Sequence, residues 1–347
     1  MTSQGQNPAV GKLLKAKQPA QNRCVRAANK LEKSEAGDNQ LTLSHCHLTH
    51  PAPHHMPTTN LPLSPIIAGL WRIVSWQLSV QERVRWIEQA LALGITSFDH
   101  ADIYGDYQAE AQFGEALKAA PSLRERMQLI TKCGIRLRSA QHPYRINYYD
   151  SSAGYVRQQV EQSLKNLHTE QLDLVLIHRP DYLMDAAGLA ETFATLTREG
   201  KVAHWGVSNH TTSQFALLHQ HHPLLTNQIE LSPLQMDALD DGTLDQAQQL
   251  GLRPMIWSPL GGGRLFTGDD EQAVRVRAEM TAIAHRYGIT LTTLAFAWSL
   301  RHPSRPHVIT GTGRIDGLRE AVAALDVKLD AEDWYAIWTA SKGHSVP

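Results

Sequence analysis

Cysteine is scarce in this 347-residue chain: Cys24, Cys46 and Cys133 are odd in number, scattered, and form no C-x-x-C. That excludes a disulfide framework and the usual structural zinc patterns, and it fits a reducing compartment. Charge of one sign is lacking too. The 33 Lys and Arg against 34 Asp and Glu leave a net charge of −1, so there is no electrostatic case for nucleic acid or an anionic membrane surface as partner. No apolar run approaches the roughly 20 residues that a membrane span needs. The first thirty residues lack the apolar h-region of a signal peptide, and a cytoplasmic location is the expectation. Also missing is a G-x-G-x-x-G after the first predicted strand, which weakens a doubly wound dinucleotide-binding sheet as the architecture.

Residues 1–60 stand apart. They pass from Gln- and Lys-rich text to a cluster of Ser, Thr, Pro and His with no sustained period, and are expected to form a disordered N-terminal extension, with Met56 as an alternative initiator. Within them His45, Cys46, His47, His50, His54 and His55 are metal-friendly residue types. Their spacing matches no standard zinc pattern and Pro51 and Pro53 interrupt it, so no metal site is expected.

From residue 61 to 347 the text alternates regularly. Buried-strand runs are predicted at 66–71, 96–99, 127–132, 172–178, 202–207, 225–231, 254–258 and 308–310. Helical periods fall between them, at 80–91, 108–119, 155–167, 187–199, 212–221, 240–250, 271–287, 291–301 and 315–324, with a last helix at 330–341. Ser79-Val80-Gln81-Glu82 reads as a capping box, and Gly94, Gly200 and Gly251 as helix stops. The stretch 138–153 reads as a long polar loop. Eight strand–helix units over some 280 residues predict a closed (β/α)8 TIM barrel in one domain.

In such a barrel the chemistry sits at the C-terminal ends of the strands. The second strand ends on Asp99, with Tyr104 five residues on. The third ends on Lys132 before Gly134, and the fourth on His178. A lysine ending a buried strand needs an anionic partner, which Asp99 can supply. An ammonium beside a phenol favours the phenolate, so Lys132 is expected to lower the pKa of Tyr104. Tyr104 then gives a proton to a substrate oxygen, and His178 orients or polarises that oxygen. This is the acid half of a carbonyl reduction; the hydride must come from a cofactor.

The segments FDHADIYG from Phe98, ITKCG around Lys132, LIHRPD around His178, GVSN ending at Asn209, TNQIE around Gln228 and WSPLGGGRLF from Trp257 resemble the aldo-keto reductases, and their wording is similar to the YdhF-type bacterial branch. The resemblance runs from about residue 65 to the C-terminus. It implies a (β/α)8 barrel, NADPH as the cofactor with NADP preferred over NAD, and a small-molecule carbonyl substrate. By position it implies Tyr104 as general acid, Lys132 as its modulator, Asp99 as the partner of Lys132, and His178 as substrate orienter. It implies Ser208, Asn209 and Gln228 as holders of the nicotinamide carboxamide, with Trp257 where the family puts a ring against the nicotinamide. Ser258, Leu260, Gly261 and Gly262 match the pyrophosphate loop, to which Arg264 adds charge. Thr312, Gly313 and Arg314 match the grip on the adenosine 2′-phosphate, and Glu320 an adenine contact. Gly317 and Ala321 depart from relatives that carry side chains there.

Taken singly, each residue has an ordinary reading: Lys132 a snorkelling lysine, Asp99 a loop cap, His178 a rim histidine, Trp257 barrel core, the glycines a turn. Four proton-active types at three consecutive strand ends argue against all of these together. Trp71, Tyr148, Tyr149 and Trp205 are candidates for the substrate wall, and Trp334 and Trp338 for packing. Two other functions compete: a slow or non-catalytic nicotinamide-binding sensor on the same barrel, and a Schiff-base aldolase with Lys132 as nucleophile.

Overall fold

The computed structural model describes residues 61–140 and 142–347. The predicted N-terminal extension and its His and Cys cluster lie outside the described residues. Eight parallel strands close into a barrel: β1 (Ile66–Gly69), β2 (Ser97–Asp99), β3 (Gln128–Cys133), β4 (Leu172–Ile177), β5 (Val202–Ser208), β6 (Asn227–Glu230), β7 (Met255–Trp257) and β8 (His307–Thr310). Each pairs with its sequence neighbour, and β8 returns to β1 through Ile66↔Val308 and Ala68↔Thr310. Around them run α1 (Val80–Ala92), α2 (Ala109–Ala119), α3 (Ala153–Asn166), α4 (Ala186–Arg198), α5 (Thr212–His219), α6 (Thr243–Gln249), α7 (Glu271–Tyr287), α8 (Leu291–Leu300), α9 (Ile315–Ala323) and α10 (Ala331–Lys342). Among the described residues no helix is long and apolar enough to cross a membrane.

Strand alternation divides the core in two. Ile67, Ile130, Leu174, Leu176, Met255 and Ile309 form one cluster inside the barrel. Ile66, Ala68, Phe98, Val175, Trp205 and Val308 belong to a larger one that meets the helices. This parity governs which side chains can reach the barrel mouth.

Local signals act as the sequence suggests at the helix starts. Ser79 and Glu82 close the capping box of α1, and Thr211 with Gln214 makes a second box on α5. Two predicted elements differ. The helix expected at 240–250 is a single turn, Asp237–Asp240, followed by α6. The break is Gly242, which adopts φ 82, with the Asp241 carboxylate accepting from the Thr243 amide at 2.8 Å. The polar loop at 138–153 contains half of a short antiparallel ribbon, in which Ile135–Arg136 pairs with Tyr148–Tyr149. Arg136 holds its base through Asp150 at 2.7 Å and the Tyr144 hydroxyl at 3.0 Å. The Arg136 guanidinium also stacks 3.9 Å from the Tyr155 ring centroid. Trp334 stacks on Trp298 at 5.0 Å, in keeping with a packing role for α10.

Several histidines are buried and neutral. His307, whose Nδ1 lies 3.0 Å from the Ser64 carbonyl, is pushed by burial to a pKa of about 4, with the Arg253 charge acting the same way. The folded value lies below the usual 6.5, so the unfolded chain binds the extra proton on acidification. Stability is then fully present above pH 6.5 and lost as pH falls toward 4. Between pH 7 and 4.5 the wild-type protein is expected to lose about 2 kcal/mol more than His307→Gln in urea unfolding. Parallel losses in the two proteins would show that His307 is not the titrating group.

Candidate active site

The four proton-active residues come together. Asp99 ends β2 with inward parity, and Lys132 lies two residues beyond inward Ile130 on β3. His178 follows inward Leu176 by the same step. The loop after β2 is strapped across β3, because the His100 amide donates to Ile130 and the Asp102 amide to Lys132 at 2.8 and 3.0 Å. Tyr104 then begins a tight turn. Gly105 within it has φ 58, and a Cβ there would stand 2.4 Å from Val74, so glycine is required.

Lys132 is fully buried, and its ammonium has three protons. Its Nζ donates to Asp99 Oδ2 at 2.7 Å, to the His100 carbonyl at 2.7 Å and to the Tyr104 hydroxyl at 3.0 Å. Burial pulls the lysine pKa down, but Asp99 and Tyr104 together outweigh it and hold it above the usual range. A lysine so engaged and so basic is a poor nucleophile, which argues against Schiff-base chemistry. The other Asp99 oxygen accepts from Gln228 Nε2 at 2.9 Å.

The phenol differs from the sequence expectation. Burial raises the Tyr104 pKa above 10, and the pull of Lys132 in the other direction is the smaller effect. The phenol therefore keeps its proton at neutral pH, while Lys132 lowers the cost of losing it. His178 is buried, and desolvation, helped by the Lys132 and Arg179 charges, holds its pKa well below the usual value. Among the described residues its Nδ1 has no partner. An orphaned acceptor costs less than an orphaned N–H, which favours the tautomer with the proton on Nε2. Its ring meets Tyr104 edge-on at 5.8 Å.

A second cluster adjoins this one. Asn209, in the left-handed region at φ 58, accepts from Trp257 Nε1 at 3.0 Å and donates to Ser208 Oγ at 2.8 Å. Ser208 in turn donates to the Gln228 carbonyl at 3.0 Å. Among the described residues this leaves one N–H on Asn209 and the Oε1 of Gln228 without a partner. One donor and one acceptor, on residues joined by the hydrogen bond from the Asn209 amide to the Gln228 backbone carbonyl at 2.8 Å, are the complement a carboxamide needs. Beyond Ser258, Gly261, Gly262 and Gly263 take φ of 58, 66 and 105, a tight turn that glycine adopts at little steric cost. The Gly261 amide donates to the Ser258 carbonyl at 2.8 Å and the Gly263 amide to the Leu260 carbonyl at 3.0 Å. Leu260 packs on the core below them. Arg264, expected to add free charge, is bonded to Asp270 at 2.8 Å. After β8, Thr312 accepts from the Arg314 amide at 3.1 Å, Gly313 lies between them, and Arg314 precedes α9, which carries Glu320. Gly317 has a packing reason: a Cβ there would stand 2.9 Å from the Thr312 side chain.

Of the substrate candidates, Trp71 is 60% exposed in the loop after β1, and Tyr148 and Tyr149 lie on the ribbon after β3, all at the catalytic end. Trp205 is a correction. It is 1% exposed and stacks on Phe193 of α4 at 3.9 Å, because inward parity on β5 falls to Gly206 and Ser208. His210, which follows the GVSN segment, is buried, and its backbone pairs with the Asn227 side chain. Sequence reasoning passed over Arg179, directly after His178, and Glu230, which has the parity of Gln228.

The closed barrel agrees with the comparisons. The model of the aldo/keto reductase family matches residues 65–342. The chain is 48% identical over 286 residues to oxidoreductase YdhF of Escherichia coli, spanning 82% of this chain and 95% of that protein.

The chain belongs to the aldo/keto reductase family.

It falls in the YdhF-type branch and is an oxidoreductase enzyme. A 6-dehydroglucose reductase of Agrobacterium fabrum is 41% identical over 290 residues, covering 82% of this chain and 97% of that one. Among solved structures, an aldo/keto reductase from Klebsiella pneumoniae in complex with NADP and acetate aligns with TM-score 0.66 and 25% identity, over 82% of this chain and 93% of that one. The glycerol dehydrogenase of Gluconobacter oxydans shares the fold, with TM-score 0.73 and 23% identity over 83% and 94% of the chains.

In this aldo/keto reductase, Lys132→Met leaves the Asp99 carboxylate buried without its counter-charge. It is expected to cost about 3–5 kcal/mol in urea unfolding. Adding Asp99→Asn should recover part of that loss, and simple additivity of the two single changes would contradict a direct pair.

Proposed function

We propose that this aldo/keto reductase reduces aldehyde and ketone carbonyls with NADPH, using Tyr104 as the general acid. The observation that carries this reading is the Lys132 ammonium, held between Asp99 Oδ2 at 2.7 Å and the Tyr104 hydroxyl at 3.0 Å. Reduced nicotinamide supplies the hydride to the carbonyl carbon. Since Lys132 donates to the Tyr104 oxygen, the phenol's own proton is free to point at a substrate oxygen. As charge develops on that oxygen Tyr104 gives up its proton, and the phenolate left behind lies against the ammonium. Asp99 keeps the ammonium charged and in place. His178, neutral with Nε2–H, donates to the same oxygen and orients it.

The cofactor grip follows from the groups left free. Asn209 and Gln228, with Ser208 bracing Asn209, take the carboxamide, and Trp257 stacks on the ring. The loop from Ser258 to Gly262, above Leu260, would receive the pyrophosphate through the backbone amides that its turn leaves free, the Gly261 amide being held by the Ser258 carbonyl. Arg314, with Thr312 and Gly313, meets the 2′-phosphate, which favours NADP over NAD. Glu320 lies by the adenine. Arg264 is committed to Asp270 and has a secondary part at most. Trp71, Tyr148 and Tyr149 line the approach for a small carbonyl substrate. The relative named 6-dehydroglucose reductase supports carbonyl reduction as the direction of use. A sensor that merely held the cofactor would have no need of a phenol proton left free to face a substrate oxygen.

Tyr104→Phe is expected to lower kcat for NADPH oxidation across an aldehyde panel by about 10²-fold or more, with NADPH affinity unchanged. A variant as active as wild type would remove Tyr104 as the acid. Arg314→Ala should weaken NADPH by roughly tenfold and leave NADH unmoved; equal weakening of both would place Arg314 away from the 2′-phosphate.

A further inference from the structure

Two charges at the barrel mouth have no part in the proton chemistry. Arg179 leaves β4 directly after His178, and its guanidinium carbon stands 5.8 Å from the centroid of the Trp257 ring. Among the described residues it makes neither an ion pair nor a side-chain hydrogen bond. Glu230 ends β6 with the inward parity of Gln228 and is the register partner of Trp257 on β7. Its carboxyl is half-buried and also without a hydrogen-bonded partner, close enough to sense the Arg179 charge but not in contact with it. The other cation of the site, Lys132, is neutralised by Asp99 at 2.7 Å. Trp257 therefore has a cation near its ring and a carboxylate-bearing residue at the neighbouring inward register position, and among the described residues neither charge is compensated by contact.

The two redox forms of nicotinamide differ by one charge located on the ring: the oxidised ring is cationic, the reduced ring neutral. We infer that Arg179 and Glu230 set which form this site holds. Arg179 disfavours the oxidised ring and Glu230 favours it, so the pair tunes the balance between cofactor and spent cofactor. The inference rests on the reading that nicotinamide stacks on Trp257. A unit charge about 6–10 Å from a ring stacked on Trp257, at an effective dielectric constant of about 40, changes the affinity ratio of the two forms roughly three- to tenfold. Arg179 thereby pushes the enzyme toward carbonyl reduction, because a site that holds the oxidised cofactor weakly releases it readily. Neither residue touches a reacting atom in this account; both act through the ring's charge.

The test is equilibrium binding, with no substrate present. Dissociation constants for NADPH and NADP+ are measured by calorimetry on wild type, Arg179→Gln, Arg179→Lys and Glu230→Gln. The ratio Kd(NADP+)/Kd(NADPH) is expected to fall roughly three- to tenfold in Arg179→Gln, to stay near wild type in Arg179→Lys, and to rise in Glu230→Gln. A merely structural role would weaken both forms together and leave the ratio unmoved. An unmoved ratio, or a shift of the same sign in Arg179→Gln and Glu230→Gln, overturns the inference while the site reading stands. Wild-type protein that binds neither form overturns both.

Discussion

A lysine ammonium with no exposed surface is the constraint on which this site is built. Removing such a charge from water is costly, and it is tolerated only where oxygens replace the lost hydration. Asp99, the His100 carbonyl and Tyr104 supply those oxygens, one for each proton. The same three contacts that make the burial tolerable also fix the phenol in place. Structural need and chemical use are here satisfied by one arrangement: whatever would displace Tyr104 would also uncover part of the buried charge.

Barrel parity does the rest of the positioning. Asp99, Lys132, His178, Ser208, Gln228, Glu230 and Trp257 share the inward register of the residues below them, so they converge at one end of the barrel without any long loop having to place them. Rigid strand ends hold such a site more closely than loops do. The connections carry what varies: the tight Gly105 turn, the glycine turn after β7 and the ribbon tethered by Arg136.

Much of this was readable from sequence, for identifiable reasons. Strand ends, capping boxes and glycine stops are local, and the eight repeats of strand and helix left little topological freedom. The cluster of Asp99, Tyr104, Lys132 and His178 was legible because its residue types are costly at buried strand ends. What was misread depends on packing. Trp205 looked like a pocket wall because it is aromatic and near the GVSN segment, but counting inward positions along β5 sends it to Phe193. The helix at 240–250 was broken by Asp241-Gly242, a turn signal hidden inside an apolar period. The direction of the Tyr104 shift was misjudged because a sequence names the cation beside a phenol but not the depth at which both are buried. Arg179 and Glu230 escaped notice because each reads as an ordinary rim charge until the fold brings both to Trp257, one near its ring and one at the neighbouring register position.

The claim at the centre is that the Lys132 ammonium makes the Tyr104 phenol easier to ionise than its burial alone would allow. Its most direct test is the ionisation of that phenol. Tyrosines labelled with carbon-13 at Cζ can be followed by NMR through a pH titration, with Tyr104 assigned by its absence in Tyr104→Phe. The account predicts that Tyr104 ionises at distinctly higher pH in Lys132→Met than in wild type. Ionisation at the same or a lower pH in the variant would contradict it.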